Sequence, residues 1–133
     1  MSVSRFLLTA ALLAGTALAV ASRNTRPAAT KPQKVRLSRI VVDSTQLARY
    51  KGLLKQEIEA SMQKEPGVLT LYAVFEKKRP NHLTILEMYA DEAAYRAHLT
   101  TPHFLEYKQG TLPMVQRLEL LETDPLIPEL KIK

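Results

Sequence analysis

The stretch Leu83–Tyr107, LTILEMYADEAAYRAHLTTPHFLEY, decides how this chain folds. Its first residues alternate, with Leu83, Ile85, Glu87 and Tyr89 on one side and Thr84, Leu86, Met88 and Ala90 on the other, the period of a β-strand. Asp91 follows as the N-cap of a helix through Leu99, because its carboxylate can accept hydrogen bonds from the unpaired amides of the first turn. Thr101-Pro102 starts a second helix: threonine caps, and the fixed φ of proline suits the first helical position. That helix is expected to reach about Gln109, where Gly110 closes it. The stretch also holds two of the three histidines, His98 and His103, beside Glu87, Tyr89, Tyr95 and Tyr107. These groups can move protons or hold a polar aromatic ligand.

Upstream, Val68–Glu76 alternates in the same way, with Val68, Thr70, Tyr72 and Val74 opposite Leu69, Leu71, Ala73 and Phe75. The charged segment Lys77–Asn81 joins it to the strand beginning at His82 as a hairpin loop, which puts His82 at the surface. Before it, Glu65-Pro66-Gly67 ends a helix over Gln46–Lys64, capped by Asp43 or Ser44. Leu47, Tyr50, Leu54, Ile58 and Met62 recur at helical spacing there, leaving Lys51, Lys55, Gln56, Glu59 and Gln63 outside. Val35–Val42 and Val115–Glu122 read as the first and last strands. The order β-α-β-β-α-α-β is that of a ferredoxin-like, split βαβ fold of the α+β class, a four-stranded antiparallel sheet with helices on one face. Two strands apolar on both faces require cover on the second face as well, and a homodimer pairing sheet against sheet is the simplest cover.

Residues 1–21 have the pattern of a signal peptide. Arg5 precedes the apolar and small-residue run Phe6–Val20, and Ala17-Leu18-Ala19 or Ala19-Val20-Ala21 offers the cleavage site. A run of about 15 residues is short of the ~20 that span a bilayer, so no stable membrane insertion is expected after cleavage, and the mature protein is expected to be periplasmic or secreted. An uncleaved N-terminal anchor is the rival reading of the same segment. Residues 22–34 read as a flexible linker, residues 35–124 as one domain, and residues 125–133, broken by Pro125 and Pro128, as an extended tail. The chain has no cysteine, which excludes disulfides, thiolate metal sites and cysteine nucleophiles. Its formal charge of +6 is concentrated ahead of Asp43 without a basic helix face or interleaved aromatics, so nucleic acid is not an expected partner. The four glycines are scattered and form no phosphate loop, and no nucleophile-elbow serine is present.

EPGVLTLYAVFEK (65–77) followed by LTILEMYADEAAYRAHLTTPHFLEY resembles the antibiotic biosynthesis monooxygenase (ABM) family, including its quinol monooxygenase members. The resemblance spans about Val35 to Glu122. It implies a dimeric α+β barrel with a cavity in each subunit between helices and sheet. It also implies oxidation of a small aromatic or quinol substrate by molecular oxygen, with no cofactor, neither flavin nor metal. Glu87 and Tyr89 match the acidic and aromatic positions of the third strand, His98 the histidine of the A-H pair and His103 that of the H-F pair. Tyr89 stands where haem-degrading relatives carry tryptophan, and the first strand lacks their asparagine, which argues against haem degradation.

Oxygenation without a cofactor needs a base to make an electron-rich phenolate, groups to stabilise it, and exclusion of water. His98 or His103 suits the base because imidazole titrates near neutrality. His103 would lie in a first helical turn, whose free amides favour the neutral form. Glu87 can orient an imidazole or accept a hydroxyl proton, which makes His103, His98 and Glu87 the candidate catalytic set. Tyr72, Tyr89, Tyr95 and Tyr107 are the candidate substrate-binding residues. Because the spacing between His98 and His103 contains a proline and matches no standard ligand pattern, no metal site is read from His98, His103 and Glu87. A non-catalytic ligand-binding dimer and an isomerase of a small metabolite are the alternatives compatible with the same fold.

Overall fold

The computed structural model describes residue 32 and residues 34–130. The expected signal segment 1–21 and all but Pro32 and Lys34 of the expected linker lie outside the described residues. β1 spans Lys34–Val42, one residue earlier than its apolar pattern suggests. Arg36, Ser38, Ile40 and Val42 alternate along it, and all four are buried. The inward face of this strand therefore carries its polar residues, Arg36 and Ser38, at one end and its apolar residues, Ile40 and Val42, at the other.

Asp43 caps a short 3-10 turn over Ser44–Gln46, accepting from the backbone N–H of Thr45 at 2.9 Å. The turn leads into α1, Leu47–Lys64. The buried stripe of α1 runs Tyr50, Leu54, Glu57 and Ser61. Met62, expected inside, is 47% exposed, because the stripe steps by four, three and four residues and Met62 lies a further 100° around. An acid and a serine thus occupy positions on the core side of this helix.

β2 is Val68–Phe75, β3 is His82–Tyr89, and β4 is Val115–Thr123. They pair antiparallel in the order β2-β3-β1-β4, which is the ferredoxin-like order expected. A register shift in β2 between Val68 and Thr70 corrects the simple alternation read there. It returns Val68 to the face of Leu71, and both pack with Tyr89 in one buried cluster. Gly67, just before β2, has no positive φ. Its small size is what matters: a Cβ there would meet Ala94 Cβ at 2.5 Å, so α2 is packed against the strand entry at glycine distance.

α2 covers Glu92–His98, with Asp91 accepting from Ala94 N at 2.7 Å, and α3 covers Pro102–Thr111, capped by Thr101. Gly110 does not end α3. The helix continues through it into a 3-10 turn at Leu112–Met114, and a Cβ at Gly110 would come within 3.2 Å of Leu53 in α1. The glycine thus permits close approach of two helices. Ile40, Val42, Tyr50, Leu54, Leu83 and Met114 form the main core between sheet and helices.

The other face of the sheet has no cover within the described chain. Tyr72 is 65% and Val74 48% exposed there. Leu118 and Leu120 of β4 are also partly exposed, on the helical side at the sheet edge. Among the described residues no helix is long and apolar enough to cross a membrane.

Candidate functional site

A cavity of about 500 Å³ lies between the helices and the sheet, with Leu118 and Leu120 of the exposed edge on its wall. Its position follows from the strand order: β4 lies at the sheet edge beyond α3, so the space between α3 and β4 stays unfilled. Two polar groupings face it across apolar walls.

The first grouping comes from adjacent strands. Arg36 of β1 pairs across the ladder with Glu87 of β3, and Ser38 lies two residues further on. Ser38 Oγ donates to Glu87 Oε1, and Tyr89 Oη donates to Glu87 Oε2 at 3.0 Å. Arg36 Nη1 donates to Tyr95 Oη, while its buried Nε, 3.8 Å from Glu87 Oε2, has no hydrogen-bond partner. Burial, together with the Glu87 carboxylate, holds the Tyr89 hydroxyl well above the usual phenol range, so it remains a donor.

The second grouping lies at the junction of the three helices. His98, the last residue of α2, is 3% exposed. Its ring packs 4.9 Å from that of Phe104 and 5.5 Å from that of Tyr89, centroid to centroid. Glu65, the C-cap of α1, presents Oε1 to His98 Nδ1 at 3.1 Å and to His103 Nε2 at 2.5 Å. Burial raises the Glu65 carboxyl pKa, but the bonds from His103 and His98 outweigh this and leave it below its ordinary value. Glu65 is therefore an ionised acceptor, and both imidazoles turn an N–H towards it. In the tautomer with Nδ1–H on Glu65, the lone pair of His98 falls on Nε2, which lies 3.6 Å from Glu57 Oε1.

Glu57 is buried, and Ser61 Oγ donates to its Oε1 at 2.7 Å. Burial pushes its carboxyl above the usual 4.5, against the opposing pull of Ser61 and His98. The folded state thus binds this proton more tightly than the unfolded chain does. Stability linked to Glu57 is present below pH 4.5 and lost as pH rises through the folded value. Glu57→Gln is therefore expected to gain thermal stability relative to wild type as pH rises above 4.5. Melting temperatures measured across pH check this, and a constant difference would refute it.

Of the sequence candidates, Glu87, Tyr89, Tyr95, His98 and Tyr107 line the cavity. Tyr107 shares a hydrogen bond of 2.7 Å with Tyr50, and burial raises its hydroxyl pKa to about 12. Neither His103 nor Glu65 lines the cavity, and His103 connects to it through Glu65 and then His98. Tyr72 lies on the opposite face of the sheet, because it alternates with the core residue Leu71. Sequence reasoning missed Arg36, Ser38, Glu57 and Glu65. An acid at the core phase of α1, three residues after Leu54, was the available signal for Glu57. The nitrogen and oxygen atoms of Glu65, His98 and His103 lie within 4.8 Å of one another. That is close to the spacing of a two-histidine, one-carboxylate set. Here, however, Glu65 Oε1 rests directly against both nitrogens, so the three groups satisfy one another as a hydrogen-bonded cluster.

The chain is thus a ferredoxin-like α+β domain with an acid- and imidazole-lined cavity under its helices. The antibiotic biosynthesis monooxygenase profile matches residues 35–110, and the chain belongs to that family. A candidate member from Bacteroides thetaiotaomicron VPI-5482 is 65% identical in a crystal structure, with a TM-score of 0.74, covering 75% of this chain and 95% of that one. A candidate monooxygenase from Lactobacillus acidophilus NCFM is 30% identical with a TM-score of 0.66, covering 70% of this chain and 46% of that one. A candidate member from Nitrosomonas europaea, 19% identical, shares the fold at a TM-score of 0.67, covering 71% of this chain and 91% of that one. No functionally curated protein matches the chain.

Proposed function

We propose that this chain is an exported, homodimeric monooxygenase that oxidises a quinol or related phenol with molecular oxygen and without a bound cofactor. The observation that carries the reading is His98: a buried imidazole on a cavity wall, with Nδ1–H held by ionised Glu65 and Nε2 left as acceptor. That is how a general base is oriented and its tautomer fixed. The cavity volume of about 500 Å³ falls in the range of small-molecule sites, and its walls are mostly apolar, as an aromatic ring requires.

His98 takes the proton of a ring hydroxyl, and the resulting phenolate passes one electron to oxygen. The radical pair joins to form a C–O bond, and the peroxide takes back a proton. Loss of the C–H proton from the same carbon and cleavage of the O–O bond then leave a ring carbonyl and water. The ring loses two hydrogens and gains one oxygen, while the second oxygen departs as water, so no external reductant is needed. Arg36, Ser38 and Glu87 offer donors and an acceptor for a second ring oxygen.

An oxygen electrode with reduced benzoquinones and naphthoquinones tests this. Uptake above the autoxidation blank is expected for at least one of them, and none across the panel would refute the reading. Export rests on the N-terminal pattern; the mature protein recovered from the cell envelope or medium is expected to begin just after Ala19 or Ala21. N-terminal sequencing that finds Met1 or Ser2 would contradict it.

A further inference from the structure

We infer that Glu57 is the general acid of this cavity, acting opposite His98 by protonating the oxygen that leaves as water. The inference rests on the oxygenation proposed above.

Glu57 lines the cavity from α1 and is 4% exposed. The groups beside it that can carry positive charge are the imidazoles of His98 and His103. The titratable groups that face it are Tyr50 of its own helix and Glu65 at that helix's cap, His98 of α2, His103 and Tyr107 of α3, and Tyr89 of β3. Among the described residues no lysine or arginine forms an ion pair with it. A buried carboxyl without a lysine or arginine partner costs stability, and such groups concentrate at functional sites. Its position beside an imidazole is specific. Oε1 is 3.6 Å from His98 Nε2, so a closing of about 0.5–1 Å brings the two into hydrogen-bond reach. Two acidic side chains thus flank one imidazole, with their proton affinities shifted in opposite directions. The Glu65 carboxyl, on the Nδ1 side, is held below its ordinary range by the two imidazoles, and the Glu57 carboxyl, on the Nε2 side, is pushed above it by burial. Environments that push two titratable groups apart mark out the acid and base roles.

The proton count closes on these residues. His98 returns its first proton to the peroxide, then removes the C–H proton from the carbon that bears it. Glu57 gives its proton to the departing oxygen as the O–O bond breaks. The imidazolium then passes its proton to the Glu57 carboxylate, and both groups are restored for the next turnover.

Glu57→Gln keeps the shape and an acceptor for Ser61 but supplies no proton near neutral pH. With the quinol that wild type turns over, kcat is expected to fall by about 10²-fold or more, with KM within a few-fold and hydrogen peroxide released in place of the oxygenated product. Wild-type kcat and pH profile in the variant would overturn the assignment. A second readout does not depend on turnover: the ¹⁵N titration of His98 in the ligand-free protein. Coupling to Glu57 predicts a titration step in wild type that disappears in Glu57→Gln, and identical curves would overturn the proposal even if no quinol proved to be a substrate. A stoichiometric transition metal on Glu65, His98 and His103 in the purified protein would also overturn it, because His98 Nε2 would then carry the proton and could not accept one.

Discussion

His98→Gln is expected to lower kcat by about 10²–10⁴-fold while leaving KM within a few-fold, the loss that follows removal of a positioned general base. Glutamine is the informative choice because it spans a similar volume and can still offer a donor to Glu65, so the contacts with Phe104 and Tyr89 are largely filled. His103→Gln separates two roles for the imidazoles. His103 touches Glu65 but not the cavity, so its loss weakens the orientation of His98 and costs less than loss of His98 itself. Equal kcat values for wild type and His98→Gln, with the fold checked by circular dichroism, would remove His98 from the chemistry.

The second large effect concerns assembly. In one copy of the chain, Tyr72 and Val74 stand on a sheet face that nothing within the described residues covers. Their cross-strand neighbours are Leu86 and Thr84. Folding a four-stranded sheet with one such face open leaves apolar area in water, and a second copy packed sheet on sheet removes it. Placing aspartate at both positions discards about 1.5–3 kcal/mol of burial at each and adds charge to the interface. The dimer dissociation constant should rise at least ~10³-fold. Light scattering on the chain lacking residues 1–21 checks this: a dimer is expected for wild type, and a monomer at the same concentration for Tyr72→Asp/Val74→Asp. A wild-type monomer would contradict the homodimer.

Much of the architecture was legible because two periods dominate the chain. Alternation marked β2 and β3, and the three-and-four spacing marked α1. The cap signals Asp91 and Thr101-Pro102 fixed the starts of α2 and α3 and thereby placed the two histidines. What stayed hidden depended on phase and on tertiary approach. One residue of slip in β2 moves Val68 to the other face, and no local pattern announces it. Gly110 has the composition of a helix stop, yet its neighbour Leu53 belongs to another helix, so its role appears only once α1 and α3 pack.

The site divided in the same way. His98, Glu87, Tyr89, Tyr95 and Tyr107 share the cavity as residue type and spacing suggested, while Tyr72 was separated from them by strand parity. Glu65 read as part of a turn, and Arg36 as one of several early positive charges. Both acquire a role only through partners far along the chain, Glu65 through His98 and His103, Arg36 through Glu87 and Tyr95.

The most direct measurement is turnover of a reduced quinone under ¹⁸O₂, with mass spectrometry of the product and of the water. The account predicts one heavy oxygen in the product, the other in water, and no product under nitrogen. Product formed at the same rate without oxygen, or free of ¹⁸O, would contradict it.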